Sequence, residues 1–287
     1  MTTLPTPTPT RRPRRALAAS AITLALTLGA VAAPAHAAPA ASAAPEWYVS
    51  PDATVDFAAS ADRAYDFLDE RVDTYGSGEQ MRLARSYQGG FFDTLPGGFV
   101  SSFLYDDALI VMAYLARGLP DDLERASAIG DALIHVQQND PLADGRTRAS
   151  YQPDSLQQGV VEIGSPAAFT GNQAWVGMAL AHLYDATGEQ KYLDAALRSA
   201  EWIEENTADR ERAPFGYTGG QNADGVDFTF KATEHNIDVT AFFTQLEELT
   251  GDNVWGERAD TAEGFVEAMV SENGHLWKIG RASCRER

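Results

Sequence analysis

The chain has 287 residues, a formal net charge of −19 and one cysteine. One cysteine excludes an intrachain disulfide framework, and the negative charge argues against nucleic acid and anionic membranes as partners. The hydrophobic fraction of 44% over this length suffices for one large core.

Residues 1–45 contain no acidic side chain. Arg11, Arg12, Arg14 and Arg15 lead into an apolar run over 16–31, and Ala35-His36-Ala37 offers small residues for cleavage. This pattern predicts a secretory signal peptide over 1–37, a secreted product and no stable membrane insertion after its removal. Arg11-Arg12 suggests twin-arginine export. Residues 38–50 read as a flexible Ala/Pro leader. At the other end, residues 279–287 (IGRASCRER) resemble the translation of a sequencing-adapter oligonucleotide. They are expected to be a non-native tail that carries Cys284 with it. Without the four basic residues of the leader and the three basic and one acidic residues of the tail, 15 basic face 40 acidic side chains, a net of −25.

Between 51 and 278 the periodicity predicts seven helices, near 52–74, 102–117, 121–138, 172–187, 189–206, 235–250 and 255–271. The first carries Ala61, Tyr65, Leu68 and Val72 on one stripe. In the fifth, Tyr192, Ala196, Ser199 and Ile203 form an inward stripe, and Asp194, Arg198, Glu201 and Glu205 the solvated face. The seventh repeats this with Trp255, Ala259, Ala262, Val266 and Met269. Residues 109–116 and 174–181 are apolar on every side, which predicts helices buried all round. Breaks fall at Gly118, Gly188 and Gly251. The pattern is therefore three helical hairpins, each with an inner helix that starts in a polar cluster, an outer amphipathic helix and a long join to the next.

The polar clusters are Tyr105-Asp106-Asp107, Asn172-Gln173 with Trp175, and Glu234-His235-Asn236-Ile237-Asp238. With the run Leu183-Tyr184-Asp185-Ala186-Thr187-Gly188 and Tyr192-Leu193-Asp194-Ala195-Ala196, this plan resembles hairpins of the six-hairpin glycosidase superfamily. The resemblance implies an all-α fold, an (α/α)6 toroid, of which this chain is expected to supply roughly the first half. It also implies a site on the rim where the inner helices begin, and an oligo- or polysaccharide as partner.

Glu234 and Asp238 share one helix face a turn apart, and Thr233 could instead cap that helix. Asp106 and Asp107 point about 100° apart, so one of them faces the cavity. Glycoside cleavage needs two carboxyls, about 5–5.5 Å apart for retention or 6.5–9.5 Å for inversion. The expected assignment is Glu234 as acid, with Asp107 or Asp106 as base or nucleophile. His235, Asn236, Asp238, Lys231, Asn172, Gln173, Trp175, Tyr151 and Tyr217 are expected substrate contacts, Tyr217 within a loop cluster with Phe228 and Phe230. Two other classes fit the same residues. A polysaccharide lyase would use His235 or Tyr151 as base and Lys231 or Asn236 to neutralise a uronate. A non-catalytic glycan-binding or cell-surface protein would use the rim without turnover. No cofactor or metal is expected: residues 222–227 lack the terminal glutamate of a calcium loop, and His135 and His182 read as structural.

Overall fold

The computed structural model describes residues 56–94 and 100–277, and the backbone of Ile279–Gly280. The expected signal peptide (1–37), leader (38–50) and Cys284 lie outside the described residues. Seven long helices are present: α1 (Phe57–Asp73), α2 (Leu104–Arg117), α3 (Pro120–Gln138), α5 (Thr170–Thr187), α6 (Gln190–Thr207), α7 (Thr233–Thr250) and α8 (Asn253–Ala268). A single turn, α4 (Pro153–Leu156), lies in the join between α3 and α5. No described helix is long and apolar enough to cross a membrane.

Helices α2/α3, α5/α6 and α7/α8 are hairpins. The first helix of each ends at a left-handed glycine, Gly118 (φ 71°), Gly188 (φ 70°) and Gly251 (φ 72°), a conformation in which a β-carbon would be strained. Helices α2, α5 and α7 form the inner layer, with α5 between the other two, and α3, α6 and α8 back them. Gly177 lets α5 and α7 approach; a β-carbon there would lie 2.1 Å from Cζ of Phe242. On α6, Tyr192, Ala196, Ser199 and Ile203 are all fully buried, which is the inward stripe.

Helix α2 departs from the expectation of all-round burial. Leu109 is 41% exposed. One flank of α2 packs on α5, while Leu109 and Ile110 border a cavity of about 670 Å³ shared with Phe67 and Leu68 of α1. Only α5 has an inner helix on both sides, and it is accordingly the most buried. Ala61 is likewise exposed, so the inward stripe of α1 narrows to Tyr65, Leu68 and Val72.

The long joins contain short strands that periodicity did not indicate. Each inner helix is entered through a two-residue strand, and each entry strand pairs antiparallel with the next hairpin's join. Ser102 and Phe103 pair with Tyr151 and Ser150, Ala168 and Phe169 with Gln221 and Gly220, and Lys231 and Ala232 with Gly280 and Ile279. The register is the same three times. The third pairing includes Ile279–Gly280, the first residues of the expected non-native tail.

A second repeated device sits one turn further on. The fourth residue of each inner helix is fully buried and polar, and each binds backbone of the join before it. Asp107 Oδ1 accepts the N–H of Ala84 at 3.0 Å. Gln173 accepts the N–H of Thr147 at 3.0 Å and donates to its carbonyl at 2.7 Å. Asn236 does the same with Tyr217 at 2.8 and 3.0 Å. Buried backbone groups outside regular structure must find partners, and these side chains supply them.

Candidate active site

The entry strands bring the first turns of α2, α5 and α7 onto one rim. The side chains gathered there are Tyr105 and Asp106 from α2, Asn172 and Trp175 from α5, and Glu234, His235 and Asp238 from α7. Tyr105 and Trp175 pack ring against ring, with centroids 4.9 Å apart. His235 and Asp238 reach across to the start of α5. A β-carbon on Gly171 would lie 2.7 Å from His235 Cδ2 and 3.2 Å from both His235 Nε2 and Asp238 Oδ2.

This cluster is short of internal partners. Asp238 Oδ2, His235 Nδ1 and Trp175 Nε1 are buried atoms without a hydrogen bond, although Asp238 as a residue is only 7% exposed. The indole N–H of Trp175 lies close enough to ease the charged form of Asp238 without completing a bond. Burial, reinforced by the charge of Glu234, pushes the Asp238 carboxyl up to about 7. Burial also lowers the His235 imidazole, which Glu234 only partly offsets. A protonatable carboxyl near neutrality beside an imidazole held toward its neutral form is a pair equipped to give and take protons. Glu234 is exposed at the mouth.

The structure separates the other expected site residues from this cluster. Asp107 has no exposed surface; its carboxyl binds Ala84 N–H and accepts from Ser102 Oγ at 2.6 Å, and burial pushes it up to about 7. Asp107, the expected base or nucleophile, is thus enclosed and bonded within the fold, and Asp106, half-buried, is the one of the pair that borders the cavity. Gln173 and Asn236 are spent on backbone, as described. Tyr151 is buried, and its hydroxyl accepts the N–H of Arg148 at 2.8 Å. Tyr217 is buried and donates to Glu204 at 2.9 Å. Lys231 Nζ is enclosed by Asp209 at 3.0 Å and the carbonyls of Arg212 and Pro214 at 2.6 and 2.7 Å. Thr233 does not cap α7; its hydroxyl donates to the carbonyl of Trp277 at 2.7 Å. Asn222 Oδ1 accepts the N–H groups of Asp224 and Val226, which closes the 222–227 loop on itself.

Beside the cluster, sharing Tyr105, Asp106 and Asn172 with it, is a cavity of about 340 Å³. Tyr87, Phe103, Tyr105 and Phe169 wall it, with Asp106 and Asn172 as its polar side chains. Phe169 in turn stacks on Phe228 at 5.6 Å, nearly parallel, and Phe228 packs on Phe230 at 5.5 Å. The aromatic side chains along this cavity begin at Phe103 and Phe169, two residues without any place among the expected contacts. Their shared position, immediately before an inner helix, was the available signal.

No family model matches the chain, and no curated protein matches it. Solved structures do. A D-mannose isomerase superposes with a TM-score of 0.60 at 15% identity, over 78% of this chain and 59% of that one. A cellobiose 2-epimerase from Bacillus thermoamylovorans gives 0.60 at 12% identity, over 79% and 59%. A glycoside hydrolase family 76 mannosidase from Bacteroides thetaiotaomicron gives 0.53 at 15% identity, over 78% and 58%. The chain therefore shares the helical-hairpin (α/α) toroid fold of these structures, in part: it spans about three fifths of their length.

Proposed function

We propose that the protein acts on a saccharide, as a glycoside hydrolase whose proton donor is Asp238. The observation that carries this reading is the Asp238 carboxyl, nine-tenths buried, with one oxygen unpartnered and its ionisation moved up to about 7. Such a group is still largely protonated where a glycosidic oxygen needs a proton. Glu234, one turn earlier on the same face, and Asp106, across the cleft on α2, are the carboxylates available as base or nucleophile. Trp175 and Tyr105 offer ring surface, and Asn172 an amide, for sugar hydroxyls. Export through a signal peptide belongs to the same reading, because polymeric saccharides are met outside the cell. The isomerase, epimerase and mannosidase named above support a sugar as the substrate class through the shared fold alone.

A second reading has its own observation. The Nδ1 atom of His235 is unpartnered, and the ring is held toward its neutral form. A neutral imidazole is a base, and with Asp238 it could move a proton on a free sugar, as in isomerisation or epimerisation. The lyase alternative loses support, since Tyr151 and Lys231 are committed inside the fold.

The test is to incubate the purified chain with a panel of oligosaccharides and follow new reducing ends, and in parallel with free aldoses in deuterated water by NMR. New reducing ends that vanish in Asp238→Asn favour hydrolysis. Deuterium entering a sugar carbon, abolished in His235→Asn, replaces hydrolysis with the second reading. Saccharide binding without either reaction leaves a non-catalytic glycan-binding protein.

A further inference from the structure

The cavity beside the cluster has an unusual lining for a sugar site. Four aromatic rings, Tyr87, Phe103, Tyr105 and Phe169, surround a space of about 340 Å³, and its only other side chains apart from Ala149 are Asp106 and Asn172. A neutral hexose carries hydroxyls on most of its carbons and is held by many donors and acceptors around one or two stacking faces. Here the ratio is reversed. Ring faces carry negative potential and attract cations, most strongly when several converge in a space shielded from water. Asp106 adds a full negative charge. Arg71 and Arg85 line the neighbouring larger cavity, which shares Tyr87 and Asp106 with this one, and neither arginine lines the smaller space.

We propose that this aromatic cavity is a subsite for the protonated amine of an amino sugar, a glucosamine-type unit. The inference rests on the saccharide reading given above and names the substrate class for that site. The Tyr105 hydroxyl is held above the ordinary tyrosine range by burial, then by the charges of Asp238, Glu234 and Asp106, and no basic side chain is among the causes. A uronate or a phosphorylated sugar would bring a second negative charge beside Asp106. An N-acetylated sugar would present an uncharged amide, to which the ring faces give no cation–π attraction.

The experiment is calorimetric titration of the chain with three disaccharides of the same linkage: β-1,4-linked glucosamine, its N-acetylated form, and cellobiose. The deacetylated sugar should bind at least about tenfold more tightly than either of the others. That preference should fall away in Asp106→Asn and in Tyr87→Leu, and tetramethylammonium should compete with the amine. Equal or tighter binding of cellobiose or of the acetylated sugar overturns the proposal and leaves the saccharide reading standing. A preference that survives both substitutions also overturns it, because the amine is then recognised elsewhere. If no saccharide of any class binds or is turned over, both readings fall together.

Discussion

Asn236 holds both backbone groups of a single residue: its Oδ1 accepts the N–H of Tyr217 at 2.8 Å and its Nδ2 donates to the carbonyl of Tyr217 at 3.0 Å. A side-chain amide imitates one rung of a β-ladder in this way. The same atoms tie α7, which bears Glu234, His235 and Asp238, to the strand at Gly216–Tyr217 in the middle of the join before it. Asn236→Ala would leave two buried backbone groups unpaired. Each such group costs about 1–3 kcal/mol, so a loss of roughly 2–6 kcal/mol is expected in urea unfolding at unchanged m-value. A loss below about 1 kcal/mol would mean that the loop finds water or another partner.

Asp238 gives a prediction in stability as well as in catalysis. Its folded pKa, about 7, lies above its ordinary value of 3.8. The fold therefore prefers the protonated acid. The contribution of this group is full below about pH 4, declines as pH rises to about 7 and is constant above. His235, whose pKa is lowered, acts in the opposite sense: its folded neutral form disfavours the fold as pH drops below the ordinary histidine range. Measuring wild type and Asp238→Asn at each pH isolates the carboxyl. The wild-type advantage should shrink from pH 4 to 7; a flat difference would place the acid in an ordinary, solvated state.

If Asp238 is the general acid, kcat/KM should fall on the alkaline side of about pH 7, and Asp238→Asn should lose about 10²- to 10⁴-fold. The loss should be much smaller for nitrophenyl glycosides, whose leaving group departs without a proton. Equal losses on good and poor leaving groups would assign Asp238 to substrate positioning.

Two glycine substitutions separate site from scaffold. Gly171→Ala places a methyl group 2.7 Å from the ring of His235 and 3.2 Å from Asp238 Oδ2. Both side chains must move, and since geometry within about 1 Å governs such sites, activity should drop by about two orders of magnitude. Gly264→Ala, on α8 with nothing within 4 Å, should instead stabilise the chain by about 0.5–1 kcal/mol without touching activity. A Gly171→Ala enzyme of full activity would remove His235 and Asp238 from the chemistry.

The helices were legible because burial and spacing speak the same language in sequence: the stripe of Tyr192, Ala196, Ser199 and Ile203 is also the buried face. The left-handed stops at Gly118, Gly188 and Gly251 were legible for the same local reason. Within the polar clusters, composition alone could not separate neighbours. Asp106 and Asp107 are chemically identical, and only the fold decides that one binds Ala84 while the other borders a cavity. Tyr217 and Lys231 looked like ligand-facing residues because aromatic and basic side chains in long joins often are. Their actual partners, Glu204 and Asp209, lie 13 and 22 positions away, beyond any periodic signal. Asp238 entered the sequence reading only as a contact, since the burial that moves its ionisation comes from α5, not from its own helix.

The entry strands carry a consequence for how such a chain could be rearranged. Because Ala168–Phe169 pairs with Gly220–Gln221, and Ser102–Phe103 with Ser150–Tyr151, each of these α-hairpins is closed by a ladder between the strand before it and the strand after it. Cutting the chain at the helix–helix borders would strand half of a ladder on each side. The natural cassette for recombination runs from the middle of one join to the middle of the next, taking an inner helix together with the outer helix that follows it and the strands on either side of them. Shuffling at those points would keep each ladder whole, with Trp175 travelling in the company of both strands that close its hairpin.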